Sequence, residues 1–292
     1  MTELPRAPRT TIVTVSFNSL HVLPQMLASV PSGVPVVIVD NGSTDIAALV
    51  DLCEMHGATL IRNDRNLGFG VACNLGAAAA TTEFLLFLNP DAMLAEGALD
   101  RLEQAASDYP GASAMNPRIA ENDGRPFFKR KSYLMPRSLW MARGWPEADR
   151  EVSILSGAAF FVRRTDFEKV GGFDPEIFLF HEDDDLALRL QAECGPLMFI
   201  RDALVQHGGG SSSARNAEIA ALKAWHMGHS RVYAARKHGQ PFARGRALLQ
   251  SVLQLISPVV VFSRRKRAKQ FALLRGIVHA SFGGKSTLRD ET

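Results

Sequence analysis

Three short runs constrain the fold of this 292-residue chain more than anything else in it. T-I-V-T-V-S-F (11–17), P-V-V-I-V (35–39) and F-L-L-F-L (84–88) are almost wholly apolar and rich in β-branched or aromatic residues. Strands without polar alternation are buried on both faces, as in a parallel sheet covered by helices. Each run ends in a polar loop: Asn18-Ser19, then Asp40-Asn41-Gly42-Ser43-Thr44-Asp45, then Asn89-Pro90-Asp91-Ala92. Helical stretches are expected at 20–30, 46–56, 71–80 and near 96–106, with a further strand at 58–62. Repetition of strand, loop and helix predicts an α/β domain. In such sheets, ligands sit beyond the carboxyl ends of the strands.

The residues at those ends are therefore the candidates. Asp40 either accepts hydrogen bonds from a nucleoside or serves the turn that follows it. The loop N-L-G-F-G (66–70) opens a helix, where free backbone N–H groups cradle phosphate. As a dinucleotide fingerprint it fails: the third Gly/Ala is missing and the loop does not follow the first strand, which disfavours a nicotinamide oxidoreductase. Pro90 stops its strand, so Asn89 and Asp91 project at the sheet edge. Asp91 either holds a hard divalent cation or caps the next helix. A strand is expected over 153–163 with Gly157 inside it, marking close approach by a ligand or another backbone. Short strands at 197–200 and 203–205 lead to His207, whose ring three following glycines would leave exposed to a metal or pyrophosphate.

The stretch F-L-F-H-E-D-D-D-L-A-L-R-L (178–190) brings four consecutive acids, Glu182 to Asp185, to the start of an apolar-periodic helix. A helix N-terminus favours negative charge, but one carboxylate is enough to cap it, and adjacent carboxylates repel. The surplus can supply a general base or help hold a cation.

The three cysteines, Cys53, Cys73 and Cys194, lack metal-ligand spacing and disfavour a disulfide framework. No leader precedes the first strand, and the protein is expected in the cytoplasm or on the inner face of its membrane. In residues 111–150 aromatics and bases interleave with weak periodicity, either as a loop over a polyanionic or sugar ligand or as a surface excursion. No nucleic-acid module surrounds them, so nucleic acid is not expected as a partner. Net charge is +3, yet from Phe242 onward only Asp290 and Glu291 oppose the bases. Residues 218–237 read as a helix in which His226 and His229 are surface or packing residues. The interrupted apolar stretch 247–262, followed by Arg264-Arg265-Lys266-Arg267, is either an ordinary helical hairpin or a monotopic hold on an anionic membrane surface.

Eight motifs in order, T-I-V-T-V-S-F-N-S, V-V-I-V-D-N-G-S-T-D, N-L-G-F-G-V-A-C-N-L-G, F-L-N-P-D-A, S-G-A-A-F-F-V-R, G-G-F-D, F-L-F-H-E-D-D-D-L-A-L-R-L and V-Q-H-G-G-G-S, resemble family 2 glycosyltransferases of the GT-A fold. The likeness covers roughly residues 10–215 and is strongest to the rhamnosyltransferase-like branch. It implies a Rossmann-like mixed, mostly parallel α/β sheet over 1–215 with a helical, basic C-terminal extension over 216–292. It also implies an inverting transferase using a nucleotide-diphosphate sugar, dTDP-L-rhamnose for that branch, and a glycan or lipid-linked acceptor in cell-envelope polysaccharide synthesis. By that resemblance Ser16, Asn18, Asp40, Asn66, Gly68, Phe69, Asn89 and Asp91 bind the donor. Asp91 and His207 hold Mg2+ or Mn2+, and Asp183 is the base. Gly157 and Glu182 lie on the acceptor and sugar side, while Asp184 and Asp185 support or cap. Asn89 stands where the family has the first Asp of its Asp-X-Asp motif. A transferase using another UDP-, GDP- or dTDP-sugar, a phosphohydrolase using Asp91, Asp183 and His207, and a non-catalytic sugar-nucleotide- or glycan-binding module with a lapsed site are the competing readings.

Overall fold

The computed structural model describes residues 7–208 and 217–284. Among these, nine strands form one sheet: β1 (Thr10–Ser16), β2 (Val36–Asn41), β3 (Thr59–Asn63), β4 (Phe84–Leu88), β5 (Ala92–Leu94), β6 (Ala114–Glu121), β7 (Arg150–Val152), β8 (Ala159–Arg163) and β9 (Leu197–His207). Their order is β3-β2-β1-β4-β8-β6-β9-β5, and β7 pairs with the start of β9. The first four strands are mutually parallel; β8 then runs antiparallel to β4, while β6 is parallel to β9.

The apolar runs do what their composition requires. Ile12, Val36, Ile38, Phe84, Leu86 and Leu88 face one layer, made by helices α1 (Leu23–Ala28), α2 (Ile46–His56) and α4 (Ala98–Asp108). The alternate residues Val13, Val15, Val37, Val39, Leu85 and Phe87 face the other, which includes α3 (Phe69–Ala78) and α6 (Glu182–Glu193). Period-2 alternation thus splits one apolar run between two cores. Each such fully buried side chain contributes about 1.5–3 kcal/mol. The short α5 (Arg164–Lys169) links β8 to the loop before α6.

Three expectations need correction. The stretch 111–150 is not all excursion, since it contains β6 at the heart of the sheet. The strand expected over 153–163 begins only at Ala159, so Gly157 lies in the turn before it. The two short strands at 197–205 are one strand, with the register against β6 broken between Pro117 and Arg118.

Of the C-terminal helices, α7 (Ala217–Lys237), α8 (Ala243–Leu255) and α10 (Arg264–Ser281) share a small core of Ala224, Val232, Ala247, Leu273 and Ile277, while the short α9 (Pro258–Val261) buries no residue. A second cluster, in which Leu134 and Ile177 meet Ala234, Ala235 and Ala243, fastens them to the sheet domain. His226 and His229 are buried. His226 stacks on Phe178 with ring centroids 4.3 Å apart, and burial pushes its pKa down to about 4, so it packs as a neutral ring.

Candidate active site

The parallel half of the sheet brings the ends of β1, β2 and β4 to one edge. Beyond β1, Asn18 adopts a left-handed backbone (φ 54°) and ties the first loop to the second. Its side-chain oxygen accepts from the Thr44 N–H at 3.0 Å, and its own N–H donates to Ser43 Oγ at 2.8 Å. The two loops frame a cavity of about 330 Å³ lined by Ser16, Asn18, Leu20, Thr44 and Leu49 among others. Asp40 is buried at the end of β2 and accepts from the Ser43 N–H through both oxygens at 3.2 Å. The helix cap of α2 is Asp45, so Asp40 is a turn acceptor and not the cap.

Asn41 had no role in the sequence reading, yet it organises the next loop. Its side chain donates to Asn66 Oδ1 at 2.8 Å and accepts from Asn63 Nδ2 and the Leu67 N–H. The Gly68 N–H donates to Asn66 Oδ1 at 3.0 Å, and the Phe69 N–H donates to the Phe178 carbonyl at 3.1 Å. The Gly68 and Phe69 amides of the loop expected to cradle phosphate are therefore engaged within the chain. Gly68 (φ 88°) is glycine because a Cβ there would lie 2.6 Å from the Phe178 oxygen. That close approach sets the start of α3 against the segment that leads into the acidic helix.

Past β4, the three-residue β5 pairs with the end of β9 so that Ala92 lies opposite His207. The Gly208 N–H donates to the Asp91 carbonyl at 2.8 Å. This pairing sets Asp91 Oδ1 3.4 Å from His207 Nε2. Neither group caps a helix; α4 begins later, at Ala98, with Gly97 as its N-cap. The His207 ring is not exposed as expected. It is buried with the Phe127 ring 5.0 Å away, while the glycines at 209 and 210 lie outside the described residues. Asn89 Nδ2 sits 3.3 Å from His207 Nε2 and helps orient the ring. Among the described residues no three His, Cys, Asp or Glu side chains gather to hold a metal unaided. A carboxylate oxygen and an imidazole nitrogen 3.4 Å apart fit two ligands of a cation whose other positions are taken by substrate phosphate oxygens and water. The Asp91 charge also acts on Lys223 of α7, opposing the burial that lowers the lysine's pKa.

The acids follow two consecutive left-handed residues, Phe180 (φ 66°) and His181 (φ 68°). Non-glycine residues pay about 1–3 kcal/mol each for such backbones, which persist where surroundings impose them. Here the kink aims each carboxylate differently. Glu182 is buried, and burial followed by the Asp183 charge pushes its pKa up, toward the neutral acid. Asp183 is partly accessible, with 18% of its side-chain surface exposed. Its Oδ2 accepts from the Gly157 N–H at 2.9 Å and from Lys129 Nζ at 2.6 Å. A Cβ on Gly157 would lie 3.2 Å from that oxygen, so the group of this chain that approaches Gly157 is the carboxylate. Asn116 of β6 fixes the same turn, donating to the Ser156 and Ala159 carbonyls and accepting from the Ser156 N–H. Asp184 is buried between Lys129 Nζ (2.8 Å) and His181 Nδ1 (2.8 Å); burial alone would raise its pKa, but these partners hold it well below the carboxylate range.

Comparison with known proteins places the chain in a family. The sequence profile of "Glycosyl transferase family 2" matches residues 11–171, more than half of the chain. The chain belongs to glycosyltransferase family 2. Over 301 aligned positions this glycosyltransferase is 30% identical to the N-acetylglucosaminyl-diphospho-decaprenol L-rhamnosyltransferase of Mycobacterium tuberculosis, covering 91% of this chain and 97% of that one. It is 28% identical over 200 residues to a pre-mycofactocin glycosyltransferase of the same species, covering 68% of this chain and 42% of that one. A mannosyltransferase of Pyrobaculum calidifontis solved with GDP-Man and Mn2+ superposes with a TM-score of 0.59 at 16% identity, over 96% of this chain and 88% of that one. S. aureus TarS 1–349 gives 0.56 at 16%, over 94% and 92%. The fold is that of the GT-A glycosyltransferases.

Within this glycosyltransferase, sequence reasoning missed Asn41, Asn116, Lys129 and Lys223. The asparagines carry no pattern apart from the turns they tie together. Lys129 was read only as one base in a basic–aromatic run.

Proposed function

We propose that this enzyme transfers L-rhamnose from dTDP-L-rhamnose, with inversion, to a hydroxyl of a sugar carried on a lipid diphosphate in cell-envelope synthesis. The observation that carries the reading is that the Asp91–His207 pair and the carboxylate of Asp183 lie at one sheet edge, where the Asn89 N–H donates to the Ala158 carbonyl at 3.0 Å and the neighbouring Gly157 N–H to Asp183. The mycobacterial relative, matched along nearly its whole length, supports the donor and acceptor classes. Ser16, Asn18 and Asp40 would face the nucleoside, with Asn66, Gly68 and Phe69 shaping the wall beside it. Asp91 and His207 would hold Mg2+ or Mn2+, which supplies Lewis acidity to the leaving diphosphate. Mn2+ accompanies the donor in the P. calidifontis neighbour. Asp183 takes the acceptor proton from the face opposite the leaving group, and a single base so placed gives inversion. Glu182, kept neutral by burial, is able to donate a hydrogen bond to a sugar hydroxyl.

Ligand that binds only the native state stabilises it by about 2.7 kcal/mol at a hundredfold excess over Kd. A dTDP-sugar is expected to raise the melting temperature only with Mn2+ or Mg2+ present, and Asp91→Ala to abolish that response. Indifference to every nucleotide-sugar would sink the transferase reading.

The acceptor class accords with a peripheral site on the cytoplasmic leaflet, made by the C-terminal helices 217–284 as a unit distinct from the catalytic one. No helix among the described residues is long and apolar enough to cross a membrane. Instead Leu249, Leu253, Ile256, Val259 and Phe262 are exposed along α8 and α9, and Arg264 to Arg267 follow directly. Apolar side chains beside bases match the chemistry of an anionic bilayer surface, where each base is worth about 1 kcal/mol. Sedimentation with phosphatidylglycerol vesicles but not with phosphatidylcholine vesicles is the expected result. Replacing the four bases by serine should weaken binding by about a thousandfold. Equal binding to both vesicle types would refute the electrostatic hold.

A further inference from the structure

Lys129 joins this site from a segment that the motifs do not reach. The carboxylate of Asp183 offers about four lone-pair positions. Oδ2 uses two, for Lys129 Nζ at 2.6 Å and the Gly157 N–H at 2.9 Å; Oδ1 uses one, for the Asp184 N–H at 2.8 Å. One position remains, on Oδ1. Lys129 is itself held from the far side by Asp184 Oδ1 at 2.8 Å, and Asp184 by His181 Nδ1 at 2.8 Å. The lysine backbone is anchored too. Phe127 lies against His207, Phe128 meets Phe199 edge-on at 5.7 Å, and Arg130 exchanges hydrogen bonds with Met141.

We propose that Lys129 is the positioning residue of the catalytic base, pinning Oδ2 of Asp183 so that Oδ1 alone faces the acceptor hydroxyl. This rests on the reading of Asp183 as the base. The acceptor oxygen bonds to the anomeric carbon and its proton passes to Oδ1. The carbon–oxygen bond to the diphosphate breaks, and its electron pair leaves with the nucleotide. Asp184 is then the anchor of Lys129 and not a second base. The ammonium also makes it tolerable to have two ionised carboxylates side by side, which would otherwise repel. Burial lowers the Lys129 pKa, but Asp183 and Asp184 together raise it by more, so the side chain stays charged.

The test compares full-length native enzyme with Lys129→Met, Lys129→Arg, Lys129→Met/Asp184→Asn and Asp183→Asn. The donor is dTDP-L-rhamnose and the acceptor a short-chain prenyl-diphospho-N-acetylglucosamine, with slow release of dTDP to water followed in parallel. Misplacing a catalytic group by about 1 Å costs on the order of a hundredfold in rate. Lys129→Met should therefore lose about a hundredfold in kcat for both transfer and dTDP release, with acceptor KM and the donor-induced melting shift within twofold of native. Lys129→Arg should recover most of the loss. The double variant removes one of the two carboxylates left unpaired, should melt as the native enzyme does, and should remain slow. If the Met variant or a well-folded double variant keeps kcat within threefold, or if only acceptor KM rises, the positioning role is overturned while the base stands. If Asp183→Asn turns over normally, the base assignment fails and the role of Lys129 falls with it.

Discussion

Asp183→Asn is expected to lower transfer by about 10²–10⁴-fold while leaving donor affinity unchanged, because general-base catalysis is worth about that much. The substitution keeps shape and volume but removes the proton-accepting charge. It also creates a conflict the carboxylate does not have. Every protein group now bonded to Asp183 is a donor: Lys129 Nζ and the Gly157 N–H at Oδ2, and the Asp184 N–H at Oδ1. An asparagine must set its NH2 against one of these pairs of positions, so the side chain turns or its partners separate. Either outcome removes the base from its place. The proposed donor half of the site, at the ends of β1, β2 and β4, shares no hydrogen bond with Asp183, and so donor binding is expected to be spared. The measurement is kcat for sugar transfer alongside the nucleotide-induced rise in melting temperature. Turnover within tenfold of native, in a variant with a native melting transition, would remove Asp183 from the mechanism. A loss of both transfer and donor response would indicate a structural role instead.

The parallel half of the sheet was legible because its strands carry apolar residues at every position, a pattern that only two-sided burial explains. Strand β6 was not legible for the opposite reason. It carries Asn116 and Pro117 in its middle, and proline removes a ladder donor. The fold accommodates this by breaking register after Pro117, and it uses Asn116 to hold the Ser156–Ala159 turn. The site divides the same way. The four acids stood out by charge alone, and Asp91 and His207 by position at strand ends. Their adjacency depends on β5, three residues long and too short to read from composition. Which acid does what depends on the left-handed backbone at Phe180 and His181, which turns neighbouring carboxylates toward different partners. Gly157 was noticed as a point of close approach. What approaches it is the Asp183 side chain, 26 residues on, and no local pattern encodes that.

The other large effect concerns Asp185, which the sequence offers as one more member of the acidic run. Its side chain is fully buried. Oδ2 takes Arg189 Nε and Nη2 at 2.9 and 2.7 Å, and Oδ1 takes Lys237 Nζ and His238 Nε2, each at 2.8 Å. Arg189 also donates to the Val170 and Gly172 carbonyls, and Lys237 pairs with Asp174 at 2.6 Å. One carboxylate thereby ties α6, the Gly171-Gly172 turn and the end of α7 together, and with them the catalytic domain to its C-terminal helices. Removing one partner of a buried ion network strands the others and costs about 3–5 kcal/mol. Asp185→Ala should therefore lower the melting temperature by roughly ten degrees, at about 2–4 °C per kcal/mol for a domain of this size. The pH dependence follows from the sign of the shift. Burial alone would raise this carboxyl, but His238, Lys237 and Arg189 outweigh it and hold the pKa at about 2, against an ordinary 3.8. Its contribution is fully present above the unfolded value and is lost as pH falls through the folded one. Holding the carboxyl at about 2 instead of 3.8 corresponds to about 2–3 kcal/mol. The stability gap between native enzyme and Asp185→Asn should be constant from pH 7 to about 5 and then narrow as pH falls toward 2. Urea titrations at each pH measure that gap. An Asp185→Asn variant as stable as the native enzyme at pH 7 would show that the network joins the helices without stabilising them.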